Sequence, residues 1–217
     1  MSCVRNSVWF CFLSLSLAMA GPVSAETFIV VDDSDQQPAV EGTLRWAIEQ
    51  SELNPGPDRI EFAIDFAHIE LVAPLPDLQD GGLTLLAAGA DVGHPVEPSA
   101  YTLSGAAGVE RALTIASPDN RIGELRFVDF EGPEVILIAG AHARRTVISR
   151  CWFGDPSTGQ MGGARAAIRI APIAGQAEVA EGIEIVGCGF AHNDTAIVIE
   201  AGPVTVVPEM RRPPTLR

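Results

Sequence analysis

Lysine is absent from this 217-residue chain, tyrosine occurs once, and aromatic residues make up only 6% of the sequence. The 14 basic residues are therefore all arginines, set against 28 acidic residues. A surface this acidic repels nucleic acid and anionic lipid headgroups, so neither is expected as a partner. Because 47% of the residues are hydrophobic and few are aromatic, we expect a core of aliphatic layers.

The chain also lacks a long apolar run beyond its N-terminus. Val8 to Ala20 is apolar but shorter than the ~20 residues that span a bilayer, which favours a secretory signal over an uncleaved membrane anchor. Arg5 precedes this run, and the small residues Val23 to Ala25 follow it, as in a signal removed on export. We therefore predict a signal peptide over residues 1–25 and no transmembrane segment in the mature chain. Its removal leaves 13 arginines against 28 acids, a formal charge of −15.

Cysteine is scarce once the signal is removed, since Cys3 and Cys11 leave with it. Cys151 and Cys188 remain, in a compartment where a disulfide is permitted. Two cysteines do not make a disulfide scaffold, so the core must hold the fold. We expect the two side chains to point inward as buried thiols.

The N-terminal region of the mature chain contains one strand and an acidic turn. Thr27 to Val31 is rich in β-branched residues and is predicted to be a strand. The carboxylates Asp32, Asp33 and Asp35 follow it. They can hold a cation, although an acidic turn is the simpler interpretation because aspartate hydrogen-bonds its own backbone.

A single helix is predicted next, and a strand after it. Thr43, after Gly42, is a suitable N-cap, and Leu44, Ala47 and Ile48 fall on one helical face. Asn54 to Pro57 stops the run. Ile60 to Ile64 then alternates as a second strand.

From residue 65 onward short strands alternate with turn residues, and no helical period returns. This excludes a βαβ architecture and leaves a sandwich, a barrel or a solenoid. A repeated template, with steps of 23 and 37 residues, favours the solenoid. The template segments are Leu125-x-x-Val128-x-Phe130, Ile148-x-x-Cys151-x-Phe153 and Ile185-x-x-Cys188-x-Phe190.

Each template is followed by a second apolar strand, and residues 155–163 form an insertion that explains the longer step. The second strands are Val135 to Ile138, Ala167 to Ile170 and Ala196 to Ile199. Stacked coils place like residues above like, about 4.8 Å apart. The template therefore predicts an interior stack of Phe130, Phe153 and Phe190, with Val128, Cys151 and Cys188 beside it.

The N-terminal region resembles a known motif. Thr27 to Phe62, with Gly42-Thr43-Leu44-Arg45-Trp46-Ala47-Ile48 at its centre, is similar to the N-terminal motif of bacterial CSLREA-type surface proteins. Those proteins are secreted right-handed parallel β-helices of the pectin-lyase-like superfold. Leu71 to Asp80 looks like the strand and turn that follow the motif, and the similarity continues through Asn120 to Gly123 and Cys151 to Asp155. Gly42, Thr43 and Trp46 replace the cysteine, serine and glutamate of the motif.

The predicted fold class is all-β, a single-stranded right-handed parallel β-helix solenoid with an N-terminal capping helix. The resemblance implies that the helix near Leu44 to Gln50 covers the first coil, and an open coil end requires such a cover. The predicted regions are a signal at 1–25, a strand, capping helix and first coil at 26–64, coils at 65–207, and a Pro/Arg-rich tail at 208–217.

Three acidic residues are candidate site residues because they follow the template strands in loops. Glu131, Asp155 and Asp194 line one edge if the coils stack in register, where they can bind Ca²⁺ or supply acid and base to a glycosidic bond. The alternative is that these residue types simply suit tight turns. No other cofactor is expected.

No catalytic residue is predicted. Arg144 and Arg145, near His142 and Arg150, form the one basic cluster of the mature core, but no carboxylate trio accompanies it, and solvated turn charges explain it. The paired-aspartate, Gly-His-Gly and Arg-x-Lys signatures of hydrolases with this superfold do not occur. The histidines His68, His94 and His142 lack ligand-like spacing.

The expected function is that of a secreted or cell-surface non-catalytic module for adhesion, surface display or glycan contact, a function that rests on the resemblance. Its partner would be an extracellular glycan or a cell-surface molecule, and its location extracellular, at the cell surface or periplasmic. One alternative is a lyase or hydrolase of acidic glycans, and a second is a truncated β-helix fragment without independent function. A C-terminal coil that ends at Val204 to Val207 also predicts end-to-end self-association.

Overall fold

The computed structural model describes residues 24–87, 101–154, 164–173, 178, 180–200 and 204–207. This part of the chain contains one helix, α1 (Leu44–Leu53), and sixteen short strands. The strands are β1 Thr27–Val30, β2 Arg59–Phe62, β3 Ala67–Glu70, β4 Thr84–Leu86, β5 Tyr101–Ser104, β6 Leu113–Ile115, β7 Arg121–Gly123, β8 Arg126–Val128, β9 Glu134–Ala139, β10 Val147–Ser149, β11 Trp152–Phe153, β12 Ala166–Ala171, β13 Ile183–Val186, β14 Gly189–Phe190, β15 Thr195–Ile199 and β16 Val204–Val207.

Every pairing between these strands is parallel, and the strands form three sheets. A seven-stranded sheet has the order β1-β2-β4-β7-β10-β13-β16, a five-stranded sheet β14-β11-β8-β5-β3, and a four-stranded sheet β15-β12-β9-β6. From β4 onward, consecutive strands enter the three sheets in turn, as in β7, β8, β9 and again in β10, β11, β12. We call each passage through the three sheets a circuit. The all-β, parallel content of the prediction is therefore confirmed.

The helix begins and ends where the sequence predicts. The Thr43 hydroxyl accepts a hydrogen bond from the Trp46 backbone N–H, which caps the first turn, and Asn54 caps the last. Leu44, Ala47 and Ile48 are at most 1% exposed. The predicted apolar face of α1 is thus buried in the core, against β1 and β2.

The second apolar strands are confirmed and stack in register. Ile136 of β9 pairs with Ile168 of β12, which pairs in turn with Ile197 of β15. In β9 and β12 these central isoleucines are fully buried. The final strand Val204–Val207 is also present, parallel to β13.

The predicted register of the template is wrong by three residues in its first copy. Ile148 pairs with Ile122, not with Leu125, and Phe153 pairs with Phe127. The aligned segments are Ile122-Gly-Glu-Leu-Arg-Phe127, Ile148-Ser-Arg-Cys-Trp-Phe153 and Ile185-Val-Gly-Cys-Gly-Phe190.

The interior aromatic stack therefore consists of Phe127, Phe153 and Phe190. Successive ring centroids are 5.0 and 5.3 Å apart, with interplanar angles of 9° and 6°. Phe130 is buried beside the stack, 6.5 Å from Phe127 and tilted by 53°. Leu125, rather than Val128, is the residue in register with the cysteines.

Backbone conformation explains this register. Glu124, Arg150 and Gly187 occupy one aligned corner, between the seven- and five-stranded sheets, with φ of 63°, 51° and 62°. The chain must turn there in the left-handed region, which only a few residues per coil adopt. The apolar pattern allows either Ile122 or Leu125 as the first template position, but the corner conformation fixes it at Ile122.

The resemblance implies a strand and a turn over Leu71 to Asp80, and this prediction is wrong. The strand β3 ends at Glu70, and only Leu78 forms an isolated bridge, to Ile115. Backbone N–H groups of Leu71, Leu75 and Leu78 still donate to the next circuit, to the carbonyls of Ser104, Ala112 and Thr114. Arg45 adds bonds to the carbonyls of Ala73 and Pro74, each at 2.7 Å.

Both cysteines are free thiols that face the interior at aligned positions. Cys151 is fully buried, as predicted, whereas Cys188 in the last circuit is only half-buried. Burial raises the pKa of the Cys151 thiol well above its usual range. The pKa of Cys188 is lowered by the hydrogen bond between the two cysteine side chains. Cys151 is therefore an inert core residue.

Candidate functional site

The structure does not gather the three predicted acidic site residues into a cluster that it describes. Glu131 and Asp194 are both exposed on loops. Asp155 lies outside the described residues. Within the part of the chain that the structure describes, no group of three or more acidic, histidine or cysteine side chains is placed to hold a metal ion.

The acidic turn after β1 serves the fold. Asp32 accepts a hydrogen bond from the Ser34 backbone N–H at 2.8 Å, which lowers the pKa of its carboxyl group. Asp35 forms a bidentate ion pair with Arg45, with both contacts at 2.7 Å and both side chains at most 2% exposed. Asp35 also accepts from the Val72 N–H. This set of bonds joins the turn, the helix and the loop after β3.

The predicted basic cluster separates into exposed charges and two ion pairs. His142 and Arg144 are exposed. Arg145 pairs with Asp119 at 2.6 and 2.5 Å, and this hydrogen bond lowers the pKa of the aspartate and raises that of the arginine. Turn charges are thus the correct interpretation for these residues. Arg150 differs, because its partner is buried.

Arg150 bonds to a glutamate of the previous circuit. Its guanidinium Nη2 donates to Glu124 Oε1, and the two side chains are 60% and 3% exposed. The second carboxylate oxygen of Glu124 is buried and has no hydrogen-bond partner. Burial raises the pKa of Glu124 although Arg150 opposes this shift. The pair therefore joins a buried carboxylate to a guanidinium that reaches the solvent.

One glycine of the last circuit makes room for a side chain of the circuit before it. A Cβ on Gly189 would lie 2.5 and 2.6 Å from Cε3 and Cζ3 of Trp152. Because real contacts are essentially never this short, a side chain at this position would displace the indole. A Cβ on Gly187 would lie 3.5 Å from Cγ of Arg150, which is ordinary van der Waals contact. Trp152 therefore extends over the next circuit, whereas the guanidinium of Arg150 bonds to the previous one.

We call this patch the Trp152 platform, made of Glu124, Arg150, Trp152, Gly187 and Gly189. Arg126 stands beside it, in register with Trp152 on the neighbouring strand. Trp152 is half-buried at the outer face of the five-stranded sheet. An aromatic ring is a side-chain group that can stack on a ring-shaped ligand, and an exposed guanidinium such as that of Arg150 can bind an anionic group.

The predicted second and third template copies already aligned Trp152 with Gly189 and Arg150 with Gly187, and only Glu124 was missed because the first copy was misaligned. With the correct alignment, the outward positions of the three copies read Glu124 and Arg126, then Arg150 and Trp152, then Gly187 and Gly189. The change from large residues to glycines at matching positions is the signal that identifies it.

Two other charged groups have structural explanations. Glu134, fully buried, bonds to Arg111 and, at 3.4 Å, to Arg169, which also pairs with Glu200. This network ties β9, β12 and the end of β15 together across the four-stranded sheet.

An acidic cleft of about 720 Å³ lies beside the end of α1, lined by Glu49, Glu52, Asp77 and Asp80 among others. Glu52 accepts hydrogen bonds from the backbone N–H groups of Gln79 and Asp80 at 2.8 and 3.0 Å. Burial is the main reason that the pKa of Glu52 is raised. The carboxylate thus fastens the loop at 79–80 to the helix.

Within the described ranges, no helix has both the length and the apolarity needed to traverse a bilayer. Comparison of the chain with family models, with curated proteins and with solved structures found no match. Functional inference therefore rests on the geometry of the platform and on the residues of the sequence.

Proposed function

We propose that the chain is a secreted, non-catalytic module that winds as a right-handed parallel β-helix and presents one outer face for glycan contact in adhesion or surface display. Three observations support the winding. All strand pairs are parallel, the chain enters the three sheets in a fixed order from β4 onward, and like residues stack on like, as Phe127, Phe153 and Phe190 do. A right-handed connection is the rule for parallel strands.

The Trp152 platform is the observation that carries the binding function. Aromatic and arginine side chains at a surface are the residue types that most often dominate binding energy. Here Trp152 lies over Gly189, where a Cβ would come within 2.5 Å of the indole, and Arg150 is held by its bond to Glu124. A rigid, positioned aromatic ring loses little conformational entropy when it binds a ligand.

Export is the part of the proposal that rests on residues 1–25. Fusion of this segment to a reporter enzyme that is active only outside the cytoplasm tests it. We expect activity from the fusion and none when Arg5 and the apolar run are deleted. An inactive intact fusion would contradict export while leaving the platform untouched.

A glycan array probed with the purified protein tests the binding function. We expect retention on a subset of glycans, and loss of that retention in Trp152→Ala. Melting curves with and without calcium should coincide. Retention of no glycan would remove the proposal.

Incubation with polygalacturonate, with and without calcium, tests the non-catalytic part of the proposal. We expect neither cleavage nor elimination. Turnover that disappears on replacing Asp155 or Asp194 would favour a glycan lyase or hydrolase instead.

A further inference from the structure

We propose that Cys151 and Cys188 form a redox-sensitive site, in which a peroxide oxidises the pair to a disulfide that ties the last circuit to the circuit before it. The structure holds the reduced form of this pair. The inference is independent of the glycan contact. The proposed export would place the pair outside the reducing cytoplasm, where a disulfide persists.

The backbone places the two cysteines directly opposite each other on neighbouring circuits. The pairing register of these circuits is the same before and after the cysteines, so it runs through both. The Gly189 N–H donates to the Cys151 carbonyl at 2.9 Å, which fastens the two circuits at this point. Aligned Cα atoms on neighbouring parallel strands are about 4.8 Å apart, within the range of about 4.4–6.8 Å that a disulfide requires.

The two cysteine side chains are close enough to interact inside the core. The Cys188 Sγ lies 3.7 Å from the Ile148 carbonyl oxygen, so it points back toward the circuit of Cys151. A hydrogen bond joins the two thiols. The Cys151 Sγ lies 4.0 Å from the carbonyl oxygen of Ile122, in the circuit before its own. Formation of the disulfide therefore requires the Cys151 side chain to rotate toward Cys188, while the backbones already have the necessary separation.

The two thiols differ in their access to solvent, and this difference assigns their roles. Cys188 is half-buried, whereas Cys151 is fully buried. The hydrogen bond from Cys151 lowers the pKa of Cys188, and burial raises the pKa of Cys151 and keeps it protonated. An accessible thiol with a lowered pKa beside a second cysteine is the usual arrangement of a redox-sensitive pair. Cys188 therefore reacts first, and Cys151 reacts only with a partner that is already inside the core.

The oxidant is a hydroperoxide, of which hydrogen peroxide is the smallest. The Cys188 thiolate attacks one peroxide oxygen, the O–O bond breaks, and hydroxide leaves and takes up the proton that Cys188 lost. The sulfur is thereby oxidised to a sulfenic acid and the peroxide is reduced. The Cys151 sulfur then attacks the Cys188 sulfur, an S–S bond forms and the S–O bond breaks. The departing hydroxide takes the Cys151 proton, so two thiols and one hydrogen peroxide give one disulfide and two water molecules.

The disulfide would hold the weakest strand of the last circuit. Cys188 directly precedes β14, and Cys151 directly precedes β11, the neighbour of β14. Within the described residues β14 is only two residues long and is the edge of the five-stranded sheet. A covalent bond beside this short pairing restricts the unfolded chain and so favours the folded state.

Peroxide treatment of the purified full chain, followed by thiol alkylation, tryptic digestion without reduction and mass spectrometry, tests the inference. Cleavage after the arginines places Cys151 in the peptide 151–165 and Cys188 in the peptide 170–211. We expect these two peptides to be linked after oxidation and separate after reduction. The oxidised chain should melt about 5 °C above the reduced chain, because the bond restricts the unfolded state.

Two single variants separate the roles of the thiols. Cys151→Ser should stop at the Cys188 sulfenic acid, which dimedone labels, and Cys188→Ser should leave the buried Cys151 unoxidised. The matched control combines Leu125→Cys with Cys188→Ser, which puts an aligned pair of thiols one circuit earlier, where both positions are fully buried. We expect this pair to be linked at least about tenfold more slowly, because peroxide does not reach it. Far-UV circular dichroism establishes that each variant is folded.

The inference is overturned if the two peptides of the parent chain stay separate at a peroxide excess that fully oxidises free cysteine. It is also overturned if Cys188 is oxidised without being linked, or if the buried control pair is linked as fast as the parent pair. A linked chain that melts at the temperature of the reduced chain contradicts the stabilising role of the bond. The measurement on the parent needs no substitution, so it decides the question even where a variant does not fold.

Discussion

The two ends of the stacked sheets are finished in different ways. At the N-terminal end α1 lies over the core, and Leu44, Ala47 and Ile48 are at most 1% exposed. At the C-terminal end, within the described residues, β14, β15 and β16 are edge strands of all three sheets, and Ile199 is 44% exposed. A helix therefore covers the apolar core at the first end, whereas no described element covers the core or the backbone edge at the second.

Leu44→Asp should produce the largest effect, because it removes a core leucine and buries an unpaired charge beneath α1. We expect a loss of about 3 kcal/mol or more in the free energy of unfolding. Urea unfolding of the variant and the parent measures it. Leu53→Asp is the control, since Leu53 is 76% exposed on the same helix and should change little. Equal stability of parent and Leu44→Asp would show that α1 is not a cover.

Arg45→Met should cost about 3 kcal/mol, because it leaves the Asp35 carboxylate buried without its partner. The arginine also holds the carbonyls of Ala73 and Pro74, so the loop after β3 should loosen. Arg145→Met at the ion pair with Asp119, whose side chains are 55% and 49% exposed, is the control and should change stability little. Hydrogen exchange at residues 71–78 locates the effect.

Some features of the fold could be predicted from the sequence and others could not, depending on whether local residue chemistry or backbone conformation determines them. The helix was predictable from local chemistry, because a capping hydroxyl at Thr43, one apolar face and the Asn54-Pro55 stop all agree. The second apolar strands were predictable because long β-branched runs stack in only one register, as Ile136, Ile168 and Ile197 do.

The place of Glu124 in the platform was not predictable, because its alignment with Arg150 depends on backbone conformation. The predicted second and third template copies already aligned Trp152 with Gly189. The segment from Ile122 to Phe130 contains two overlapping matches to one apolar template, and burial does not separate them, since Leu125 and Phe130 are both fully buried. The left-handed backbone conformation at the corner decides between the two alignments. Glu124 and Arg150 are not residue types that indicate this conformation in a sequence. Of the three aligned corner residues, only Gly187 is of a type that readily adopts that conformation.

Phe190→Ala and Phe153→Ala compare the C-terminal end of the aromatic stack with its middle. Phe190 is the half-buried last ring, whereas Phe153 is fully buried between two rings. We expect Phe190→Ala to cost about 1.5 kcal/mol and Phe153→Ala about 3 kcal/mol or more in the free energy of unfolding. Losses of equal size would show that the C-terminal end is as well packed as the middle.

A weaker, pH-dependent effect is expected at the sealed end. Because burial raises the folded-state pKa of Glu52, the folded protein binds this proton more tightly than the unfolded chain does. Stability contributed by the neutral carboxyl is therefore present below its ordinary pKa of 4.5 and is lost as the pH rises through the raised folded value. Glu52→Gln should remove this fall. Melting temperatures of both proteins across that pH interval measure it, and an unchanged fall in the variant would assign it to another group.

The smallest effect on stability, and a distinct effect on association, is expected at the open end. Exposed parallel edges pair readily with other strands, and the half-buried Phe190 and Ile197 offer apolar surface beside them. Residues 208–217 contain Pro208, Pro213 and Pro214, and proline cannot donate to a strand ladder. We expect this tail to hinder pairing, so deleting it should increase end-to-end self-association without changing the melting temperature extrapolated to low concentration. Light scattering over a concentration series measures the association. The control is Ile199→Asp in the deleted protein, which should restore the monomer because it places a charge on the open end. A strict monomer at high concentration, both with and without the tail, would show that open edges of this molecule are blocked by other means.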